Sequence, residues 1–294
     1  MKPRILITGA AGKTGLPLAQ QLADRRVPFR ALVHSMLKEP LLGKWTPDIA
    51  AGDYQDRDVM DEAFDGIERV YLVSPPALDQ EKVQTALVDL AKKKGVKHIV
   101  KLSALGTSNN SPVGLLRAHA RIEDHIRKSG MDWTFLQPHF FMENLLGYAE
   151  RVIKDGALYS PLGDAGISPI SVHDIADVAA NVLTGEGHEG RTYQLTGPEA
   201  VSYGEIASIL GSVIDRKVAY VPVTFEAAQQ GMLLLGMPDW LAGDMIGLMK
   251  TWAEGKGSAV TGDVEKIIGR PPISVREFFE CHKHLFLGKG AMAA

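Results

Sequence analysis

Between residues 4 and 138, six short apolar runs alternate with stretches whose apolar residues recur at helical spacing. That alternation restricts the fold more than any other feature of the chain. The runs are RILITGA (4–10), PFRALVH (28–34), DIAAGD (48–53), RVYLVSPP (69–76), VKHIVKLSA (96–104) and DWTFLQP (132–138). Such runs read as parallel strands buried on both faces. Between them, TGLPLAQQLADRR places Leu16, Leu18, Ala19, Leu22 and Ala23 on one side of a helix. RDVMDEAFDG closes a helix on Gly66, and QEKVQTALVDLAKKKG closes a longer one on Gly95. Another helix is expected around 114–129. Successive βαβ units predict an α/β fold, a Rossmann-like parallel sheet with helices on both faces.

Beyond about residue 140 the rhythm loosens. SVHDIADVAANVLTG predicts a helix and RTYQLTG (191–197) another strand. Two later helices open on capping boxes, Ser202 with Glu205 and Ser274 with Glu277. This part is expected to form a smaller, mostly helical substrate lobe. The expected division is 1–141, with a return over 167–197, for the sheet domain, and 142–166 with 198–294 for the lobe.

The formal net charge of −3 gives no indication of nucleic-acid binding, and the run Lys92-Lys93-Lys94 suits a helix C-terminus. The single cysteine, Cys281, excludes an internal disulfide and fits a reducing cytoplasm; its apolar, aromatic surroundings predict a packing role. MKPRILITG enters an apolar run without a signal-peptide pattern, so a cytoplasmic location is expected. The most apolar segment, GMLLLGMPDWLAGDMIGLM (231–249), is interrupted by Pro238, Asp239 and Asp244, and no membrane span is expected. The nine histidines form no ligand spacing, so no metal is expected.

The loop ITGAAGKTG (7–15) follows the first strand and opens the first helix. Its Gly12-Lys13-Thr14 matches the tail of a P-loop, but the position five residues before Gly12 is Ile7, so the phosphoryl-transfer spacing fails. Gly9, Gly12 and Gly15 instead recur every third residue, as a dinucleotide loop requires for a tight turn, close approach to a pyrophosphate and close helix packing. The helix N-terminus at about Thr14 would then face the phosphates. At the end of the second strand, where an NAD site wants a carboxylate, stand His34, Ser35 and Lys38, which favours NADP(H) over NAD(H).

These segments resemble the NmrA-like branch of the short-chain dehydrogenase/reductase superfamily. The resemblance also takes in AGDYQDRDVMDEAFDGIERVYLVSPP, GVKHIVKLSALG, HARIEDHIRKSGMDWTFLQPHFFMENL and GDVEKIIGRPPISVREFF. That branch includes NAD(P)H quinone reductases, azo-dye and triphenylmethane-dye reductases, and redox-sensing regulators. The resemblance implies that Thr8, Gly9, Ala11, Gly12, Lys13, Thr14 and Gly15 line the phosphates, with His34, Ser35 and Lys38 at the 2′-phosphate. It implies Asp53 and Tyr54 beside the adenine, and Val73, Ser74 and Pro75 under the ribose. Ser103, His119, Gln137 and Pro138 are expected on the nicotinamide side.

Most of that superfamily uses Tyr-x-x-x-Lys as a proton relay, and no such spacing occurs in this chain. Aligned to the relay helix, RAHARIEDHI places Leu115 at the tyrosine and His119 at the lysine. Carbonyl–alcohol interconversion and epimerisation need the relay. Quinones, azo dyes and cationic triarylmethane dyes accept hydride without it, because their charge is delocalised and water supplies protons. The expected activity is therefore reduction of a small, flat, apolar acceptor of this kind, with no catalytic side chain assigned; a non-catalytic redox sensor acting on a protein partner is the alternative. His139, Phe140, Phe141 and Met142, which follow the sixth strand, are expected substrate contacts, with Trp240 and Met245 from the Met/Leu-rich segment. That segment is expected to roof the cleft, pack internally or form a homodimer face.

Overall fold

The structure is a computed structural model that describes residues 5–46 and 48–288. In chain order its strands and α-helices begin β1 (Ile5–Ile7), α1 (Gly15–Asp24), β2 (Phe29–Val33), α2 (Glu39–Leu42), β3 (Ile49–Ala51), α3 (Arg57–Ala63) and β4 (Arg69–Leu72). They continue with α4 (Gln80–Lys93), β5 (His98–Leu102), α5 (Gly114–Ser129), β6 (Asp132–Pro138), α6 (Ala149–Asp155), β7 (Ala157–Ser160), α7 (Val172–Thr184) and β8 (Arg191–Leu195). The chain closes with α8 (Tyr203–Ile214), β9 (Ala219–Pro222), α9 (Phe225–Leu234), α10 (Asp239–Thr251), α11 (Asp263–Ile268) and α12 (Val275–His282).

Two compact units result. The first runs to Pro138 and takes in Val172–Gln194 and Lys266–Gly269; the second holds His139–Ser171, Leu195–Glu265 and the chain from Arg270. These bounds differ from the 141/142 boundary and the 167–197 return expected from the sequence. The backbone from His139 already pairs inside the second unit, through His139 N–H to the Leu195 carbonyl and Phe140 C=O to the Ile170 N–H.

In the first unit the sheet order is β3-β2-β1-β4-β5-β6-β8, and β1 to β6 pair in parallel. Strands β1 and β5 are buried at every position, which is why β1 is wholly apolar and why the two polar residues of β5, His98 and Lys101, need buried partners. On one face α3, α4 and α5 bury Met60, Phe64, Leu87, Val88, Ile122 and Ile126 against Leu6, Val70, Ile99 and Phe135. On the other, α1 packs beside α7. Lys92 and Lys93 fall in the last turn of α4, and Lys94 pairs with Asp61 at 2.6 Å.

The strands stop earlier than their apolar runs suggest. β1 ends at Ile7, β4 at Leu72 and β5 at Leu102, so Thr8, Val73 and Ser103 leave the ladder at its C-terminal edge. Open α/β sheets bind ligands along that edge.

The second unit packs α8 and α12 around Met142, Leu145, Leu158, Ile167, Leu210, Phe278 and Phe279. Both expected capping boxes form. The parallel pair β7–β9 was not expected; each strand has four residues, too few for a periodicity to show. Cys281 corrects the sequence reading, because it is exposed on α12 while Phe278 and Phe279 fill the core. No described helix is long and apolar enough to cross a membrane. Segment 231–249 spans the end of α9 and most of α10, burying only Ala242 and Ile246, and Leu234 and Leu235 stand exposed at the C-terminal end of α9.

Candidate functional site

The loop between β1 and α1 is fastened before it turns. The Thr8 hydroxyl donates to the Val73 carbonyl at 2.7 Å and accepts from the Val73 N–H at 2.8 Å. The Thr8 N–H reaches the Tyr71 carbonyl and the Ala10 N–H the Leu32 carbonyl, both at 3.1 Å. Gly9 then takes a φ of +60°, which favours glycine, and its carbonyl accepts from the Gly12 N–H at 2.9 Å. A Cβ on Gly15 would lie 2.3 Å from the Gly9 oxygen and 2.8 Å from the Ala10 Cα, so α1 seats against the loop only through a glycine. Thr14, Gly15 and Ala10 are buried, Gly9 and Ala11 half-buried, and Gly12 and Lys13 exposed. The α1 N-terminus has no side-chain cap and no acidic residue in its first turn. At that end the Leu16 N–H is taken by the Gly12 carbonyl at 3.0 Å and Pro17 has no N–H, so what the helix start offers is chiefly the positive end of its dipole.

A second group gathers where β2 and β3 end. The His34 side chain is exposed, Ser35 accepts from the Leu37 N–H at 3.2 Å, and Lys38 lies exposed in the following turn. Asp53 Oδ1 accepts from the Gln55 N–H at 2.8 Å, so the residue also shapes the turn after β3. Its other oxygen lies 3.7 Å from His34 Nδ1. The sequence reading found no carboxylate at the end of β2; the fold brings one there from the neighbouring strand. The Tyr54 hydroxyl lies 3.5 Å from the Val73 carbonyl and also faces Gly9. Burial pushes the Tyr54 phenol up to about 12, its hydrogen bond at Gly9 pulls the other way, and Asp53 adds to the rise.

The third group is a buried polar network behind the ends of β4, β5 and β6. Lys101 is completely buried, and its ammonium donates to Gln84 Oε1 at 2.9 Å and to the Leu102 carbonyl at 3.0 Å. It lies 3.1 Å from His119 Nδ1. Gln84 passes its amide N–H to Ser74 Oγ at 2.9 Å. Glu123 Oε1 accepts from Ser103 at 2.5 Å and from Gln137 at 2.9 Å, while its other oxygen pairs with Arg127 at 3.1 Å. Ser103, His119, Gln137 and Glu123 are all buried. Val73 and Ser74 are half-buried, Pro75 is exposed and Pro138 is buried at the strand end. Burial lowers the Lys101 ammonium to about 7 although the Glu123 charge opposes the fall; burial and then the Lys101 charge hold His119 well below the ordinary histidine value.

Lys101, Gln84 and Glu123 were missed from sequence. Two signals pointed to them. VKHIVKLSA carries a cation inside a run that must be buried on both faces, and His119 and Glu123 stand four residues apart on a helix, on one face.

Within the second unit, His139 Nδ1 accepts from the Phe140 N–H at 2.6 Å, which leaves the ring proton on Nε2. Nε2 is buried without a partner. Burial lowers His139 to about 4, so the ring is neutral. The Trp252 ring lies 5.1 Å from His139 and 6.0 Å, edge-on, from Phe140. Phe141, Trp240 and Met245 are half-buried. Met142 has no exposed surface and packs in the unit's core, so a substrate contact there is replaced by packing.

With this geometry in view, the similarities of the chain are specific. It is 38% identical over 282 residues to the NAD(P)H azoreductase of Xenophilus azovorans, covering 96% of this chain and 99% of the relative. The NADPH-dependent quinone oxidoreductase of Escherichia coli, solved with NADPH, superposes with a TM-score of 0.86 at 28% identity, covering 96% of this chain and 99% of that one. The triphenylmethane reductase of Citrobacter sp. gives a TM-score of 0.84 at 26% identity, with 95% and 99% coverage. The NmrA-like family pattern matches residues 1–274, and the chain belongs to the NmrA-like family.

Proposed function

We propose that this protein is an NAD(P)H-dependent oxidoreductase that prefers NADP(H) and reduces a quinone or an azo or triarylmethane dye. The observation that carries the dinucleotide is the Gly15 contact: helix and loop meet so closely that a methyl group would strike the Gly9 and Ala10 backbone and spread the loop. The backbone at Gly9, Ala11, Gly12, Lys13, Thr14 and Gly15 would hold the diphosphate, with the Lys13 side chain adding charge. Asp53 and Tyr54 would flank the adenine, and Val73, Ser74 and Pro75 the ribose. Ser103, His119, Gln137 and Pro138 would border the nicotinamide. When bound, the reduced nicotinamide supplies a hydride.

The chain's own residues bind and orient. Glu123 fixes Ser103 and Gln137, and the glycine loop, clamped at Thr8, would present its backbone dipoles with little reorganisation. Because no Tyr-x-x-x-Lys occurs, acceptors that need no enzymic acid at the reacting atom fit best. The names of the relatives, a reductase of azo compounds and reductases of quinones and triphenylmethane dyes, agree with that chemistry. Phe140, Phe141, His139, Trp240 and Met245 would contact a flat, apolar acceptor. NADPH oxidation with a benzoquinone, an azo dye and a cationic triarylmethane dye tests the reading: turnover on at least one is expected. Tight dinucleotide binding with no turnover on any would replace it with a sensor role.

Cofactor preference rests on His34 and Lys38, which stand exposed at the end of β2 where a 2′-phosphate would lie. Replacing both with alanine is expected to weaken NADPH binding roughly tenfold while NADH affinity holds, since exposed charge-assisted contacts contribute about 1 kcal/mol or less each. Calorimetric titration with the two dinucleotides checks this; an unchanged NADPH affinity removes these residues from 2′-phosphate recognition.

A further inference from the structure

We propose that Lys101 is a positioning residue that fixes the tautomer of His119, holding the imidazole with its proton on Nε2 so that it offers a hydrogen-bond donor to whatever lies against that edge. An ammonium has three N–H donors and no acceptor. Lys101 has three acceptors within reach, Gln84 Oε1 at 2.9 Å, the Leu102 carbonyl at 3.0 Å and His119 Nδ1 at 3.1 Å. All three donors are used only if Nδ1 carries a lone pair, and the proton of a neutral imidazole must then sit on Nε2.

Removal of one proton from Lys101 reverses the assignment. A neutral amine has two N–H groups and one lone pair. The two N–H groups stay on Gln84 Oε1 and the Leu102 carbonyl, whose oxygens can only accept. The lone pair is left facing Nδ1, which must become Nδ1–H to pair with it. One proton leaves the site, and the imidazole stays neutral but relocates its own proton from Nε2 to Nδ1. Its Nε2 edge changes from donor to acceptor.

The surroundings place that change in an accessible range. α5 faces Lys101 with His119 and Glu123, α4 faces it with the neutral amide of Gln84, and its neighbours in strand register are Leu72 and Phe135. Burial, partly opposed by Glu123, brings the ammonium down to about 7, whereas burial and Lys101 keep His119 from becoming a cation. The same lysine is joined through Gln84 to Ser74, so the protonation state is held by side chains from two helices and one strand end. The inference rests on the proposed function only for what the Nε2 edge meets, namely the nicotinamide side of the cleft.

The test is nitrogen-15 NMR of the full chain labelled at histidine, with the His119 signals assigned by His119→Gln. In mildly acidic buffer the expected spectrum shows a proton on Nε2 and none on Nδ1. Raising the pH through neutrality is expected to move the proton to Nδ1. In Lys101→Met the change through neutrality is expected to vanish, because the titrating amine that faces Nδ1 is gone; a change that persists unaltered there overturns the proposal. A wild-type His119 that carries its proton on Nδ1 in mild acid overturns the proposal, as does an Nε2–H form that persists unchanged from mild acid to mild alkali. If Lys101→Met does not fold, the wild-type titration alone decides. Both measurements are made without dinucleotide, so they succeed or fail independently of the cofactor reading. NADPH added afterwards without moving the His119 signals would count against the nicotinamide placement and leave the tautomer assignment standing.

Discussion

Replacing Gly15 with alanine is expected to lower dinucleotide affinity ~100-fold or more, the scale on which misplacement of about 1 Å is felt at a preorganised site. The added methyl would stand 2.3 Å from the Gly9 oxygen and 2.8 Å from the Ala10 Cα. Both are backbone atoms, and neither can swing aside. The Gly9 carbonyl is also the acceptor for the Gly12 N–H, so pushing it away opens the turn. Either α1 withdraws from the loop or the loop loses its shape. Gly12→Ala is the graded control, because its methyl would meet the same oxygen at 3.0 Å and ask for a smaller shift. Titration of each variant with NADPH, alongside circular dichroism to confirm that the sheet has formed, gives the comparison. A folded Gly15→Ala variant that binds NADPH like the wild type would falsify the phosphate role of this loop.

Glu123→Ala is expected to have the largest effect on stability. Glu123 is 3% exposed and receives hydrogen bonds from Ser103 and Gln137, which are buried with it. Truncation leaves both donors without their acceptor, at about 1–3 kcal/mol each. The pair with Arg127 adds little, since Arg127 is 41% exposed and also reaches Asp124 at 2.9 Å. A combined loss of about 2–5 kcal/mol corresponds to a fall in melting temperature of roughly 5–15 °C for a domain of this size. Glu123→Gln keeps the shape and one acceptor oxygen and is expected to recover much of the loss. Because Ser103 and Gln137 are held only loosely in the alanine variant, kcat on a quinone should fall as well. Thermal unfolding followed by circular dichroism measures the first effect and steady-state assay the second; a melting temperature within a degree or two of wild type would mean that the network is not what holds these side chains.

What the sequence revealed and what it concealed divide along contact distance. The turn at Gly9 and the helix seat at Gly15 were legible because both are local, lying within seven residues. The same is true of the capping boxes at Ser202 and Ser274, each closed by a residue three positions on. The network around Lys101 is different. Gln84 and His119 come from elements on either side of β5 in sequence, and no local pattern announces that their side chains converge. Only the oddity of a lysine in a buried strand was visible, and oddity alone does not name a partner. Asp53 was legible as a turn residue, but its approach to His34 depends on β2 and β3 being neighbours in the sheet. The strands β7 and β9 escaped because four residues cannot show an alternation, and their pairing spans α7, β8 and α8. Cys281 was misjudged for the opposite reason: its aromatic neighbours in sequence, Phe278 and Phe279, turn inward while it does not.

The Thr8 hydroxyl carries a consequence for energetics. By bonding both the carbonyl and the N–H of Val73, it clamps the first crossover to the strand end that would lie under the ribose. The conformational freedom of these two segments is therefore surrendered once, during folding, and not again each time a nucleotide arrives. A dinucleotide held as proposed would find the spacing between diphosphate and sugar already set, so its association should be quick and its selectivity should reside in the exposed side chains beyond the clamp.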